Sequence, residues 1–137
     1  MTTPAPRVVL DASAVLAWVL RERGWDVVNQ LLPIAVVATS AMTEVLYRAP
    51  ERGHRLSPDQ LHDDLLSLGI RVEPVTDGDT VRAAQLILAS RTAGAAQSLS
   101  LGDGLCLAVA ERLELTVSGG DRHWAACDLR VEFLPFR

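Results

Sequence analysis

The sequence predicts an α/β domain in which helices cover both faces of a parallel sheet. Short apolar runs alternate with helical stretches along the chain, the pattern of strands joined by crossover helices. Runs such as Ile34-Ala35-Val36-Val37 are apolar throughout rather than alternating, which marks strands buried on both faces. Acidic residues recur just beyond such runs, where open parallel sheets bind their ligands.

Arg7-Val8-Val9-Leu10 supplies the first strand. Ala12 to Leu20 is the first helix, with Leu10, Val15, Leu16, Val19 and Leu20 at helical spacing and Gly24, after Arg21-Glu22-Arg23, as its C-terminal stop. Trp25 to Leu32 forms a short second helix that Pro33 stops, and Ile34 to Val37 is the next strand. Ser40 caps a helix through Glu44 and Tyr47, which ends or kinks near Pro50 because proline lacks the amide proton. Ser57-Pro58-Asp59-Gln60 starts another: Ser57 is the cap, Pro58 the first position, and Gln60 completes a capping box. That helix reaches about Leu68 and stops at Gly69. Ile70 to Val75 alternates as a strand, and Asp77 or Asp79 caps a longer helix through Ala83, Leu86 and Leu88 that Gly94 closes. Beyond a polar loop, Asp103 to Leu113 is helical, Leu115 to Val117 is a strand, Arg122 to Ala126 is a short helical turn, and Val131 to Leu134 is the last strand.

With 137 residues, 49% of them hydrophobic, and no repeat, residues 1–137 read as a single domain with its own core. The N-terminus has no basic region, and the apolar stretch from Val8 to Leu20 is short and broken by Asp11. Neither a signal peptide nor a membrane span is expected. Cys106 and Cys127 are too few for a disulfide framework and have no partner at zinc spacing, so a cytoplasmic protein is expected. A net charge of −4 excludes a generally basic nucleic-acid binder and leaves any nucleic acid to local arginines or a metal. All thirteen basic residues are arginine. The missing lysine removes Walker A and Schiff-base chemistry and weighs against a phosphotransfer receiver.

Four acids hold candidate positions. Asp11 ends the first strand, Glu44 and Asp103 open helical stretches, and Asp121 follows the run Leu115-Thr116-Val117 through Ser118-Gly119-Gly120. Singly, each has a plain explanation as a helix cap, a macrodipole partner or a turn residue. Gathered in one pocket they would repel, by roughly 3 kcal/mol for two carboxylates ~5 Å apart at an effective dielectric of ~20. They must then protonate or bind cations, and all-oxygen ligands favour Mg²⁺ or Mn²⁺. The chemistry implied is phosphoryl transfer, with metal-activated water as nucleophile.

The segments Val9 to Ala17 around Asp11, Ser40 to Leu46 around Glu44, Leu99 to Ala108 around Asp103, and Gly120-Asp121-Arg122-His123-Trp124 together resemble the PIN domain family. The resemblance spans nearly the whole chain and is specifically to VapC-type ribonuclease toxins of bacterial toxin–antitoxin pairs. It implies a three-layer α/β/α sandwich around a central parallel sheet, with Asp11, Glu44 and Asp103 as metal-site acids and Asp121 as the fourth. Ser13 would orient the first carboxylate or a metal-bound water. It further implies an Mg²⁺- or Mn²⁺-dependent endoribonuclease that leaves a 5′-phosphate and a 3′-hydroxyl. The partners it implies are an RNA substrate, a second copy in a homodimer, and a VapB-like antitoxin whose tail covers the acidic groove. Two positions depart from the pattern. Gly119 stands where the family places Thr or Ser, with Ser118 one residue earlier as the substitute hydroxyl, and Gly104 stands where an arginine or small residue follows the third acid. The alternative is a non-catalytic module on the same fold that binds RNA or protein.

Other residues have structural explanations. His123 is expected to pack beside Trp124, Cys106 and Cys127 to sit in the core, and Trp18 and Trp25 to pack in the core or a dimer interface. Arg21, Arg23, Arg48, Arg52, Arg55 and Arg91 flank the predicted sites as phosphate or partner contacts or as solvated helix faces.

Overall fold

The computed structural model describes residues 4–93 and 98–137. Its strands are β1 (Val8–Leu10), β2 (Ala35–Ala38), β3 (Arg71–Glu73), β4 (Thr116–Gly119) and β5 (Phe133–Pro135). All pair in parallel, in the order β3-β2-β1-β4-β5. The helices are α1 (Ala12–Leu20), α2 (Trp25–Leu31), α3 (Thr39–Glu51), α4 (Pro58–Ser67), α5 (Asp77–Thr92) and α6 (Leu101–Leu113), with 3-10 turns at Leu32–Ile34 and Arg122–Ala126. Among the described residues, no helix is long and apolar enough to cross a membrane.

Successive strand residues point to opposite faces, and this alternation builds two cores. Val8, Leu10, Ala35 and Val37 pack with Val15 of α1, Val28 of α2, Met42 and Val45 of α3, and Leu65 of α4. Val9, Val36 and Val117 face the other way, against Leu86 of α5, Cys106, Leu107 and Ala110 of α6, and Trp124. The result is the three-layer α/β/α sandwich. Each fully buried Val or Leu contributes roughly 1.5–3 kcal/mol by leaving water, so the fully apolar strands hold both layers at once. The strand order reverses between β1 and β4, and there the Asp11 amide donates to the Ser118 carbonyl at 3.0 Å. That reversal opens a crevice at the carboxyl ends of the strands.

Several local expectations need correction. Arg21, not Gly24, ends α1: it takes the left-handed conformation at φ 56°, and the Glu22 amide reaches back to the Ala17 carbonyl at 2.8 Å. A non-glycine there is strained by about 1–2 kcal/mol, which the Arg21 guanidinium, stacked 4.5 Å from Trp18 and 4.7 Å from Trp25, helps to offset. Gly24 instead opens α2 at φ 89°, where a Cβ would lie 2.7 Å from the Phe136 ring. Ser40 is not a cap, because β2 runs directly into α3 and Ala38 takes that position; the Ser40 hydroxyl is buried without a partner. Thr76 caps α5 rather than Asp77 or Asp79, and Asp79 closes the capping box. Ser100 likewise caps α6, which starts at Leu101, two residues before the predicted start at Asp103. Pro50 lies inside the last turn of α3, which ends one residue later. The Gly94 stop falls outside the described residues.

Candidate active site

Asp11 leaves the end of β1 as the N-cap of α1. Its Oδ1 accepts from the Ala14 amide at 2.8 Å, and the Ser13 hydroxyl donates to both carboxylate oxygens at 2.8 and 2.9 Å. The Ser13 oxygen in turn accepts from the Gly120 amide at 3.1 Å, tying the exit of β4 to the start of α1. Only 6% of Asp11 is exposed. Burial pushes its pKa from 3.8 up to about 7 against the pull of the Ala14 and Ser13 hydrogen bonds, and the charges of Asp103 and Glu44 add to the rise.

Glu44 lies in the second turn of α3, beyond reach of its own helix dipole, so the macrodipole does not explain it. Its carboxylate rests instead on the first turn of α6, where a Cβ at Gly102 would come within 1.9 Å of Oε1. Arg48, one turn on, approaches it at 3.5 Å. Asp103 is the third residue of α6: its Oδ2 accepts from the Ser100 amide at 3.1 Å, and its own amide donates to the Ser100 hydroxyl at 3.1 Å. Asp79 forms the same box on α5 but is also gripped by the Arg112 guanidinium at 3.0 and 3.2 Å. Among the described residues neither Asp11 nor Asp103 has an ion-pair partner.

Asp11, Ser13, Glu44 and Asp103 line a single cleft of about 390 Å³, together with Glu22, Arg48, Arg52 and Arg137. Asp121 does not line it. It caps the 3-10 turn, and its Oδ1 takes the His123 amide and faces His123 Nδ1, both at 3.0 Å. His123 is therefore exposed beside Asp121 rather than packed with Trp124, which alone of the two is buried. Ser118 also lies outside the lining, its hydroxyl donating to the Leu134 carbonyl at 2.7 Å.

The two glycine departures have steric reasons. A Cβ at Gly119 would lie 2.8 Å from Asp11 Oδ2 and 2.8 Å from the Trp124 ring, so a side chain there would displace the carboxylate. Gly104 faces α5, with Ile87 Cδ1 at 2.7 Å and the Ala83 carbonyl at 3.2 Å from its would-be Cβ; it serves helix packing. Cys106 is buried as expected, and burial, with Asp11, Asp103 and Glu44 adding to it, raises its thiol pKa well above the usual range. Cys127 is only half-buried; Trp18 packs half-buried against one core as expected, Trp25 is exposed, and both rings stack with Arg21. Arg48 and Arg52 line the cleft as flanking arginines, whereas Arg137 escapes sequence reasoning because no motif surrounds it.

The donor set suits a hard divalent cation: it consists of carboxylate oxygens, and Asp11 is a buried acid that requires either a proton or a counter-charge. Among the described residues no three His, Cys, Asp or Glu side chains draw close enough to grip one ion between them. Mg²⁺ is commonly held by one or two carboxylates and keeps several waters, so the residues present fit such an ion.

Residues 8–128 match the PIN domain family. Solved structures with the same architecture include a toxin–antitoxin complex from Klebsiella pneumoniae, at 15% identity and TM-score 0.69, covering 95% of this chain and 98% of that one. The VapC20 sarcin-ricin loop cleaving toxin of Mycobacterium tuberculosis is 16% identical, with TM-score 0.69 and coverage of 89% and 95%. FitAcB from Neisseria gonorrhoeae is 19% identical, with TM-score 0.68 and coverage of 93% and 96%. At these identities the likeness is one of fold. No curated protein sequence matches the chain.

Proposed function

The chain belongs to the PIN domain family, and on that premise we propose that it is a metal-dependent endoribonuclease of the VapC type. Residues 1–137 act as one domain that hydrolyses RNA phosphodiesters in the cleft of Asp11, Glu44 and Asp103. The observation that carries the reading is Asp11, buried at the sheet's reversal point, paired with no basic side chain among the described residues and sharing its cleft with two more carboxylates. Asp11, Glu44 and Asp103 would hold Mg²⁺ or Mn²⁺, with Asp121 as a fourth acid from the neighbouring turn. Such an ion supplies an acidified water and positive charge against the phosphate oxygens. Ser13 fixes the Asp11 carboxylate, Ser118 braces β4 against β5, and the cleft arginines meet the phosphate backbone.

The neighbour described as a sarcin-ricin loop cleaving toxin supports RNA as the substrate class, and the toxin–antitoxin complex among the neighbours supports a VapB-like antitoxin. A cytoplasmic homodimer completes the proposal. Asp11→Asn and Asp103→Asn should each abolish cleavage of total cellular RNA while leaving the circular dichroism spectrum unchanged; full cleavage by either would refute the assignment. The lack of three converging ligands among the described residues favours a second reading, a non-catalytic RNA- or protein-binding module. Calorimetric titration with Mg²⁺ or Mn²⁺ separates the two, since the module would show no binding.

A further inference from the structure

We propose that Arg137 is a phosphate-binding residue of the cleft, holding a phosphodiester of the nucleic-acid strand beside the carboxylates. Its ligand class rests on the nuclease reading above. Three arginines line the cleft. Arg48 is paired with Glu44 at 3.5 Å, and Arg52 with Glu22 at 3.4 Å. Arg137 differs: among the described residues its guanidinium has neither an ion-pair partner nor a hydrogen-bond acceptor, although acids share the cleft. An arginine serving only to balance those acids would lie against one of them. This one keeps its planar fork of donors for an anion, and such a fork matches phosphate oxygens in geometry.

The position is built rather than incidental. The guanidinium lies 5.0 Å from the Phe136 ring centre. It also lies against Gly120, where a Cβ would fall 3.0 Å from Nε and 3.1 Å from Nη2. Phe136 is buried, and a Cβ at Gly24 would lie 2.8 Å from the Phe136 carbonyl and 3.1 Å from Arg137 Cβ, so two glycines clear the path of this segment. The Arg137 carbonyl also accepts from Arg122. Gly120 is the residue whose amide donates to Ser13, and Ser13 donates to Asp11. The guanidinium thus lies against Gly120, whose amide belongs to the network that fixes the buried acid. In a chain of net charge −4, an RNA strand entering an acidic cleft needs such a contact.

The test is binding of a short fluorescein-labelled single-stranded RNA in magnesium, measured in the Asp103→Asn background so that the RNA stays whole, with cleavage measured in the otherwise unsubstituted chain. Arg137→Gln should weaken binding about tenfold, as expected for loss of a charge-assisted contact. It should lower the slope of log affinity against log salt by about 0.7, the increment for one phosphate contact on a single strand. In cleavage, KM should rise about as much as affinity falls, with kcat little changed, because the contact is made equally before and during reaction. Arg137→Lys should restore most of the salt slope. An unchanged slope and affinity in Arg137→Gln would overturn the proposal while leaving the nuclease reading in place. Equal loss of kcat and thermal stability, with the slope retained, would overturn it in favour of a structural arginine. If the chain with Arg137 intact neither binds nor cuts RNA, the nuclease reading fails, and this proposal with it.

Discussion

Replacing Asp11 by asparagine isolates the cost of a buried charge. Asparagine keeps an oxygen for the Ala14 amide, so the helix cap survives, and any loss at Ser13 is independent of pH. The folded aspartate titrates at about 7 against 3.8 when free in water. Between those values the folded state binds a proton that the unfolded state has released, so stability falls as pH rises through the window. At ~1.4 kcal/mol per pH unit the full gap amounts to ~4 kcal/mol, absent below about pH 4 and complete above about pH 7. The uncharged amide carries no such dependence. In urea melts with chelator present, the stability of Asp11→Asn relative to the parent should therefore grow by ~3–4 kcal/mol from pH 4 to pH 8, or ~10 °C in Tm. Adding magnesium at pH 8 should raise the melting temperature of the parent and leave the variant where it was. A difference between the two chains that stays constant with pH would refute the claim that Asp11 is an uncompensated charge.

Gly102→Ala forces Glu44 away from the first turn of α6, because the new Cβ would sit 1.9 Å from Oε1. Since the tip of Glu44 can swing aside, the melting temperature should hold while cleavage drops by up to ~100-fold, the usual penalty for ~1 Å of misplacement. Gly104→Ala gains ~1 kcal/mol of helix propensity but drives a methyl against Ile87 and the Ala83 carbonyl. Overpacking of ~1–3 kcal/mol should win, lowering the urea midpoint rather than raising it. Glu111 is buried and accepts from Arg82 at 2.6 and 3.1 Å and from the Arg130 amide at 2.9 Å. Burial opposes its ionisation, yet these donors hold the carboxyl below its ordinary range. Its stabilisation is therefore present above about pH 4.5 and lost as pH falls further. Glu111→Gln should cost ~2–3 kcal/mol at pH 7 and flatten the acid side of the stability profile, as read by urea melts.

The layered fold was legible because its signal is local. A run such as Ile34-Ala35-Val36-Val37 can be satisfied only with cover on both faces, and the structure supplies α3 on one side and α6 on the other. Capping was half legible. Ser57 met every requirement of a cap and became one, whereas Ser40 met them and did not, because β2 passes into α3 without the turn a cap closes. The Gly24 stop failed for a different reason: the residue is glycine because Phe136, more than a hundred positions later, leaves no room for a side chain. No window of sequence contains that contact. The same holds for Gly119 against Asp11, and Gly104 meets Ile87 from another element.

The site shows where the limit falls. Thr76 with Asp79 and Ser100 with Asp103 are the same capping box, three residues apart, at the start of two long helices packed on one face of the sheet. Locally nothing separates them. What separates them is Arg112, which reaches from α6 to Asp79; despite burial, its hydrogen bond and those of Thr76 hold that carboxyl below the ordinary range. Asp103 receives no such arginine among the described residues, and it shares its cleft with Asp11, whose own pKa is driven the opposite way. One aspartate is thus committed to holding the fold and loses its contribution in acid. The other shares its cleft with Asp11, whose buried charge weakens the fold as pH rises and which only a proton or a cation can relieve. Removing Arg112 should raise the Asp79 pKa without creating a second ion site, because Asp79 lies outside the cleft that Asp11 and Glu44 define.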